Sequence, residues 1–189
     1  MVLAYAVAIG LMIAWIRFRR ETKRRLTAIP IKALWLLILA IALQIPFLRL
    51  PPGPVQEKPV QQGLFMTSFL LLLVFVWQNR SLFGVLIVGF GVLANLVVIL
   101  LNGGAMPIAP ETLIKINPGT TLEQWVPGHH YDHSKDIIRE SEDTRLKFLS
   151  DRIAMTIPLP VRVAFSVGDL FIAFGIILIL QGIQMPSLS

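Results

Sequence analysis

The sequence places one carboxylate within its apolar runs: Asp169, in Phe165-Ser166-Val167-Gly168-Asp169. In an apolar medium a carboxylate must be protonated or paired. At a rise of about 1.5 Å per residue, Asp169 falls about 13 Å below Pro160 on a straight helix. Asn95 falls about 10 Å below Asn102 and Gln44 about 7 Å below Arg49 by the same count. Thr67 and Ser68 lie at a similar depth below Gly63. Gln44, Thr67, Ser68, Asn95, Ser166 and Asp169 therefore form one polar layer, with Asn102 at its edge. Asn95 and Gln44 are the nearer partners for Asp169, because Arg162 snorkels to the interface. The layer reads in two ways. It is an open pocket for a ligand, an ion or a scissile bond, or it is a hydrogen-bonded clamp between helices.

Two further motifs bear on chemistry. Asn102-Gly103-Gly104-Ala105-Met106-Pro107 ends an apolar run with two glycines. These permit positive φ and a chain reversal, or a loop folded back over the polar layer. All three histidines fall in Gly128-His129-His130-Tyr131-Asp132-His133. His129, Asp132 and His133 are a possible nitrogen and oxygen ligand set, or a solvated polar loop. There is no cysteine among the 189 residues, which excludes disulfides, zinc–thiolate sites, iron–sulfur clusters and thiol catalysis. No apolar run holds a histidine, so histidine-ligated haem within those runs is excluded, and the sequence implies no cofactor.

The elements that position these residues are apolar. Hydrophobic residues make up 55% of the chain and charged ones 15%, against roughly 25% charged in a soluble domain; the mean hydropathy is +0.72. Five runs approach the length of a membrane span: 1–16, 33–48, 63–77, 82–101 and 161–183. The first is read as a retained helix, since its first charge, Arg17, follows the apolar run and no cleavage site is visible. Seven basic residues and one acidic residue lie in Arg17–Lys32, which places that loop in the cytoplasm. The fold expected is thus an all-α, polytopic transmembrane bundle of five spans, with its N-terminus outside and C-terminus inside. The 102–160 loop, with six basic and eight acidic residues, then lies outside, packed on the outer surface. Within it Ser134–Ser150 has the pattern of an amphipathic helix. The basic loop is an anchor for anionic lipid headgroups. Only Phe18 interleaves its charges, so nucleic acid is not an expected partner.

Small residues recur at helical spacing: Ala6, Gly10 and Ala14 in the first run, Gly84 and Gly91 with Asn95 and Asn102 in the fourth. The fifth carries Ala164, Gly168, Gly175 and Gly182. Such stripes let helices approach closely, within one chain or between subunits.

The Asn102–Pro107 stretch, Ser134-Lys135-Asp136 running to Thr144-Arg145-Leu146, Leu149-Ser150-Asp151 and the closing Ser166–Asp169 motif resemble one uncharacterised bacterial family. Its members are polytopic membrane proteins sharing a domain of unknown function. The resemblance spans most of the chain and implies a bacterial cytoplasmic (inner) membrane; it brings no activity or catalytic residue. A more distant similarity is to lipoprotein signal peptidases, inner-membrane aspartyl enzymes with an Asn-Val-Ala-Asp motif opening the last span. Val167-Gly168-Asp169 sits in a comparable place, which implies Asp169 and Asp151 as the carboxyl pair. That family's first Asp motif is absent here, and Asp151 lies in a loop. The expected function is a non-catalytic scaffold or accessory subunit of a larger bacterial membrane complex, with the lipid bilayer and other membrane subunits as partners. The alternatives are a lipid or small-ligand binder at the polar layer, and an intramembrane aspartyl hydrolase.

Overall fold

Long runs of Leu, Val, Phe and Ile with little proline leave the backbone of each apolar run to satisfy its own hydrogen bonds, and each forms a helix. The computed structural model describes residues 2–18, 29–50, 53–54, 58–131, 134–156 and 162–181. Helix α1 is Val2–Phe18, α2 Leu34–Leu48, α3 Pro59–Gln78 and α4 Phe83–Leu101. A short α5, Pro110–Ile116, follows, and α6 is Val167–Leu180. Two of these, α3 and α4, are long and apolar enough to cross a membrane; α1, α2 and α6 are apolar but shorter. The helices pack in the order α1, α6, α4, α3, α2.

The all-α expectation is corrected by four short strands. Strand β1 (Met106–Ile108) runs parallel to β2 (Asp136–Ile138), and β3 (Ile153–Thr156) runs antiparallel to β4 (Arg162–Phe165). Two expectations therefore fall. The 161–183 run is not helical from its start: residues 162–165 are a strand, and the helix begins at Val167. Ser134–Ser150 is not an amphipathic helix but a strand, turns and a short 3-10 turn at Lys147–Leu149. Local bonds won over the helical pattern there. The Asp136 N–H donates to Ser134 Oγ (3.0 Å) and Arg139 N–H donates to the Ile108 carbonyl (3.0 Å). The Asn102 region does reverse the chain. Gly103 and Gly104 hold φ of 82° and 92°, and Gly104 N–H donates back to Ile99 O at 2.9 Å.

The small-residue stripes of α4 and α6 meet each other. A Cβ on Gly84 would stand 2.6 Å from the Gly175 carbonyl oxygen, and one on Gly91 would collide with the Gly168 carbonyl. Backbones this close leave room for no side chain. On the other flank of α6, Gln181 Nε2 donates to the Gly10 carbonyl of α1 at 3.0 Å. The described residues between 102 and 165 form a cap on the end of the bundle where α4 stops and α6 starts. One apolar core joins the two: Phe47, Phe65, Phe69, Leu96 and Ile99 of the helices pack with Ala105, Met106 and Ile137 of the cap. The outward faces of the helices are also apolar. Trp15, Trp35, Ile38, Leu70, Trp77, Phe90, Leu100 and Phe174 are each more than half exposed.

Candidate functional site

Helix α6 begins with a capping box. Ser166 Oγ accepts from Asp169 N–H (3.0 Å), and Asp169 Oδ2 accepts from Ser166 N–H (3.3 Å). This reciprocal arrangement satisfies two otherwise open donors at the helix start. It also corrects the depth of Asp169, which stands in the first turn of α6 rather than two turns into a helix. The other oxygen of that carboxylate, Oδ1, accepts from Asn95 Nδ2 of α4 at 2.8 Å. Ser166 Oγ donates to Asn95 Oδ1 at 2.9 Å. Gly168 makes this possible, because a Cβ there would overlap the Asn95 side-chain oxygen.

The cation for Asp169 comes from the cap. Lys135 Nζ lies 2.8 Å from Asp169 Oδ2 and 3.2 Å from Asp151 Oδ2. Strand β1 holds both cap residues in place. Met106 N–H donates to the Lys135 carbonyl (3.1 Å), and Asp151 N–H donates to the Pro107 carbonyl (3.2 Å). Asp136, next to Lys135, is buried, and so is Asp151. The Lys135 side chain retains 24% exposure. Burial opposes its ammonium, but the carboxylates of Asp151 and Asp169 outweigh that and hold its pKa above the ordinary lysine value. Asp151 is pushed well above the usual carboxylate range, first by burial and then by the Asp136 and Asp169 charges, against the pull of Lys135. Burial raises Asp136 as well, while Lys135 and a hydrogen bond from Asp151 counter it. The two buried carboxyls are hydrogen-bonded to each other, an arrangement that favours a proton on Asp151 over one on Asp136.

The residues of the expected polar layer separate into four groups. Asn95, Ser166 and Asp169 come together at the α4–α6 contact. Gln44 Nε2 donates to Ser68 Oγ at 3.1 Å, a separate bond between α2 and α3. Thr67 Oγ1 donates to the Gly63 carbonyl of its own helix. Asn102, buried, clamps the cap: its Nδ2 donates to Val98 O and Arg145 O, and its Oδ1 accepts from Arg145 N–H. Asp151 joins the Asp169 cluster through Lys135. Of the possible ligand set His129, Asp132 and His133, Asp132 and His133 lie outside the described residues. Among the described residues no group of three or more His, Cys, Asp or Glu is arranged to hold a metal ion.

From the sequence Lys135 and Asp136 stand only in a motif of the family resemblance and not among the candidate site residues, because the pattern of Ser134–Ser150 predicts a surface helix. The β-branched pair Ile137-Ile138 was the available signal for a strand. Ser-x-x-Asp ahead of an apolar run was likewise a legible capping box.

The fold and site together define a small, mostly helical protein, apolar on its helix surfaces, with a buried Lys–Asp cluster joining cap to bundle. Residues 28–181 match a family described as a family of unknown function, DUF5317, and the chain belongs to it. No curated protein and no solved structure matches the chain.

Proposed function

We propose that the chain is an integral protein of a bacterial inner membrane that serves as a non-catalytic scaffold or accessory subunit of a larger membrane complex. In this reading α1, α2, α3, α4 and α6 are five spans, the N-terminus and the cap are outside, and the C-terminus is inside. The carrying observation is the inverted distribution of polarity. The helices turn Trp15, Trp35, Ile38, Leu70, Phe90 and Phe174 outward and keep Ser68, Asn95 and Ser166 buried. A contiguous apolar exterior of this extent marks a surface made for lipid or protein. The basic Arg17–Lys32 loop supports the orientation. Helices as short as α6, with 14 residues, reach only about 21 Å and are accommodated by local thinning of the bilayer. The cluster supports the scaffold role: Asp169 spends both oxygens on Asn95, Lys135 and Ser166, and so ties the cap to the helices.

The absence of native cysteine makes the topology directly testable. Thr120→Cys in the cap should react with an impermeant maleimide added to intact spheroplasts. Ser81→Cys, between α3 and α4, should react only after permeabilisation. Native mass spectrometry of protein extracted from its own membranes should then show distinct co-released chains. Reaction of both cysteines from outside overturns the topology; a bare monomer overturns the subunit role.

One observation favours a second reading. Asp136 and Asp151 are buried and hydrogen-bonded to each other, as the carboxyls of an aspartyl hydrolase are, one to activate water and one to protonate the leaving group. This pairing differs from Asp169 with Asp151, because Asp169 is engaged by Lys135 and Asn95. Under this reading Asp151→Asn loses turnover while its fold and assembly persist.

A further inference from the structure

At the opposite end of the bundle from the cap, the α3–α4 turn and the chain entering α2 enclose an open cavity of about 450 Å³. Lys32, Gln78, Arg80, Ser81 and Leu86 line it. Its two basic residues are placed by specific contacts, Lys32 through its backbone and Arg80 through its side chain. Asn79, buried, accepts from Lys32 N–H at 2.7 Å and donates to the Lys32 carbonyl at 2.9 Å and the Phe75 carbonyl at 2.9 Å. One amide side chain thus fastens the Lys32 backbone to the turn. Arg80 lies over the Trp77 ring, 4.5 Å from its centroid, and Nη1 donates to the Trp77 carbonyl at 3.1 Å. The cavity is therefore lined by two basic residues, Lys32 with its backbone fastened and Arg80 with its guanidinium held, by two neutral polar side chains and by no acidic residue. Its apolar wall, Leu86, stands one helical turn from the exposed Phe90 on the same face of α4.

We propose that this cavity binds the headgroup of an anionic phospholipid of the cytoplasmic leaflet. The phosphate meets Lys32 and Arg80, Gln78 and Ser81 supply further hydrogen bonds, and an acyl chain follows Leu86 towards Phe90. The assignment rests on the membrane reading above. Three features favour a lipid: the charge, the apolar track leading away from it, and the basic Arg17–Lys32 sequence, whose last residue is Lys32. The volume suits a glycerophosphate headgroup, since small-ligand sites run from about 300 to 1,000 Å³.

Trp77, 67% exposed and stacked on Arg80, is a built-in reporter. The test uses the full chain with Trp15→Phe, Trp35→Phe and Trp125→Phe, reconstituted in phosphatidylcholine nanodiscs. Brominated phosphatidylglycerol or brominated phosphatidylcholine is added as a minor component. The site predicts that the brominated anionic lipid quenches Trp77 beyond its share of the bilayer and that the zwitterionic one does not. Lys32→Gln and Arg80→Gln should each lower that preference about fivefold, and Arg80→Lys should retain most of it. Equal quenching by the two lipids overturns the headgroup site and leaves the membrane reading standing. Quenching by neither lipid overturns both. If inorganic phosphate abolishes the preference, the site takes soluble phosphate and the lipid assignment fails.

Discussion

Replacing Lys135 by methionine isolates the charge that joins cap to bundle, with the side-chain volume roughly kept. The ammonium stands 2.8 Å from Asp169 and 3.2 Å from Asp151. At an effective dielectric constant of about 20, attraction at the shorter distance is about 6 kcal/mol gross. Much of this offsets desolvation, and removing one partner of a buried pair costs about 3–5 kcal/mol net. Two features of the site place the loss at the lower end. The Lys135 side chain is 24% exposed, and Asp151, pushed well above the usual carboxylate range, takes up a proton readily once the ammonium is gone, so the deficit falls mainly on Asp169. The expected loss is about 3 kcal/mol. It is read by detergent-phase unfolding followed through tryptophan fluorescence, with proteolysis of the cap as a second readout. Asp169→Asn in the Lys135→Met background removes the stranded charge and should recover part of the loss. A loss under about 0.5 kcal/mol for Lys135→Met, the ordinary size of a surface change, would refute the clamp. So would a double variant whose loss is the full sum of the two single losses, because residues in one network do not act independently.

Three other outcomes follow from the same geometry. Folded Asp151 binds a proton that the unfolded chain releases above about pH 4. Its contribution is therefore greatest below that pH and is lost as pH rises through its elevated folded value, at no more than about 1.4 kcal/mol per pH unit. Subtracting the stability curve of Asp151→Asn from that of the native chain should isolate this falling limb; a rising difference would contradict a proton held by Asp151. Gly91→Leu should separate α4 from α6, because its first side-chain atom already meets the Gly168 carbonyl, with a loss of at least about 1–3 kcal/mol. Gly63→Ala meets no atom within 4 Å and should leave the melting temperature almost unchanged in the same assay. Asn102→Ala strips the Arg145 N–H and carbonyl of their side-chain partner while Val98 O keeps the backbone N–H of residue 102; it costs about 1–3 kcal/mol and should expose the cap to protease before the helices unfold.

The helices were legible because apolar length is a local property. α2 and α4 follow the runs 33–48 and 82–101 to within a residue, while α3 starts four residues before its run, at Pro59. Proline there fits the first turn, where its missing N–H leaves no bond unmade. The need of Asp169 for a partner, and Asn95 as one of them, were also readable, since a carboxylate in an apolar run has few polar side chains near its depth. The cap was less legible. Its strands are only three or four residues long, and Met106–Ile108 is a strand only because Asp136–Ile138 lies beside it. Lys135 and Asp169 are far apart in sequence, and no periodicity relates them.

The sequence by itself determined where the helices lie, which of their residues are small enough for close approach, and that the buried carboxylate requires a partner. Only the tertiary structure decided that this partner is Lys135 and that Asp151 is buried against Asp136. It also decided that Gly91 and Gly168 bring α4 and α6 together. Helix formation and solvation cost are set within a few residues, whereas ion pairing and backbone contact depend on the few ångströms that remain once the chain has folded back on itself.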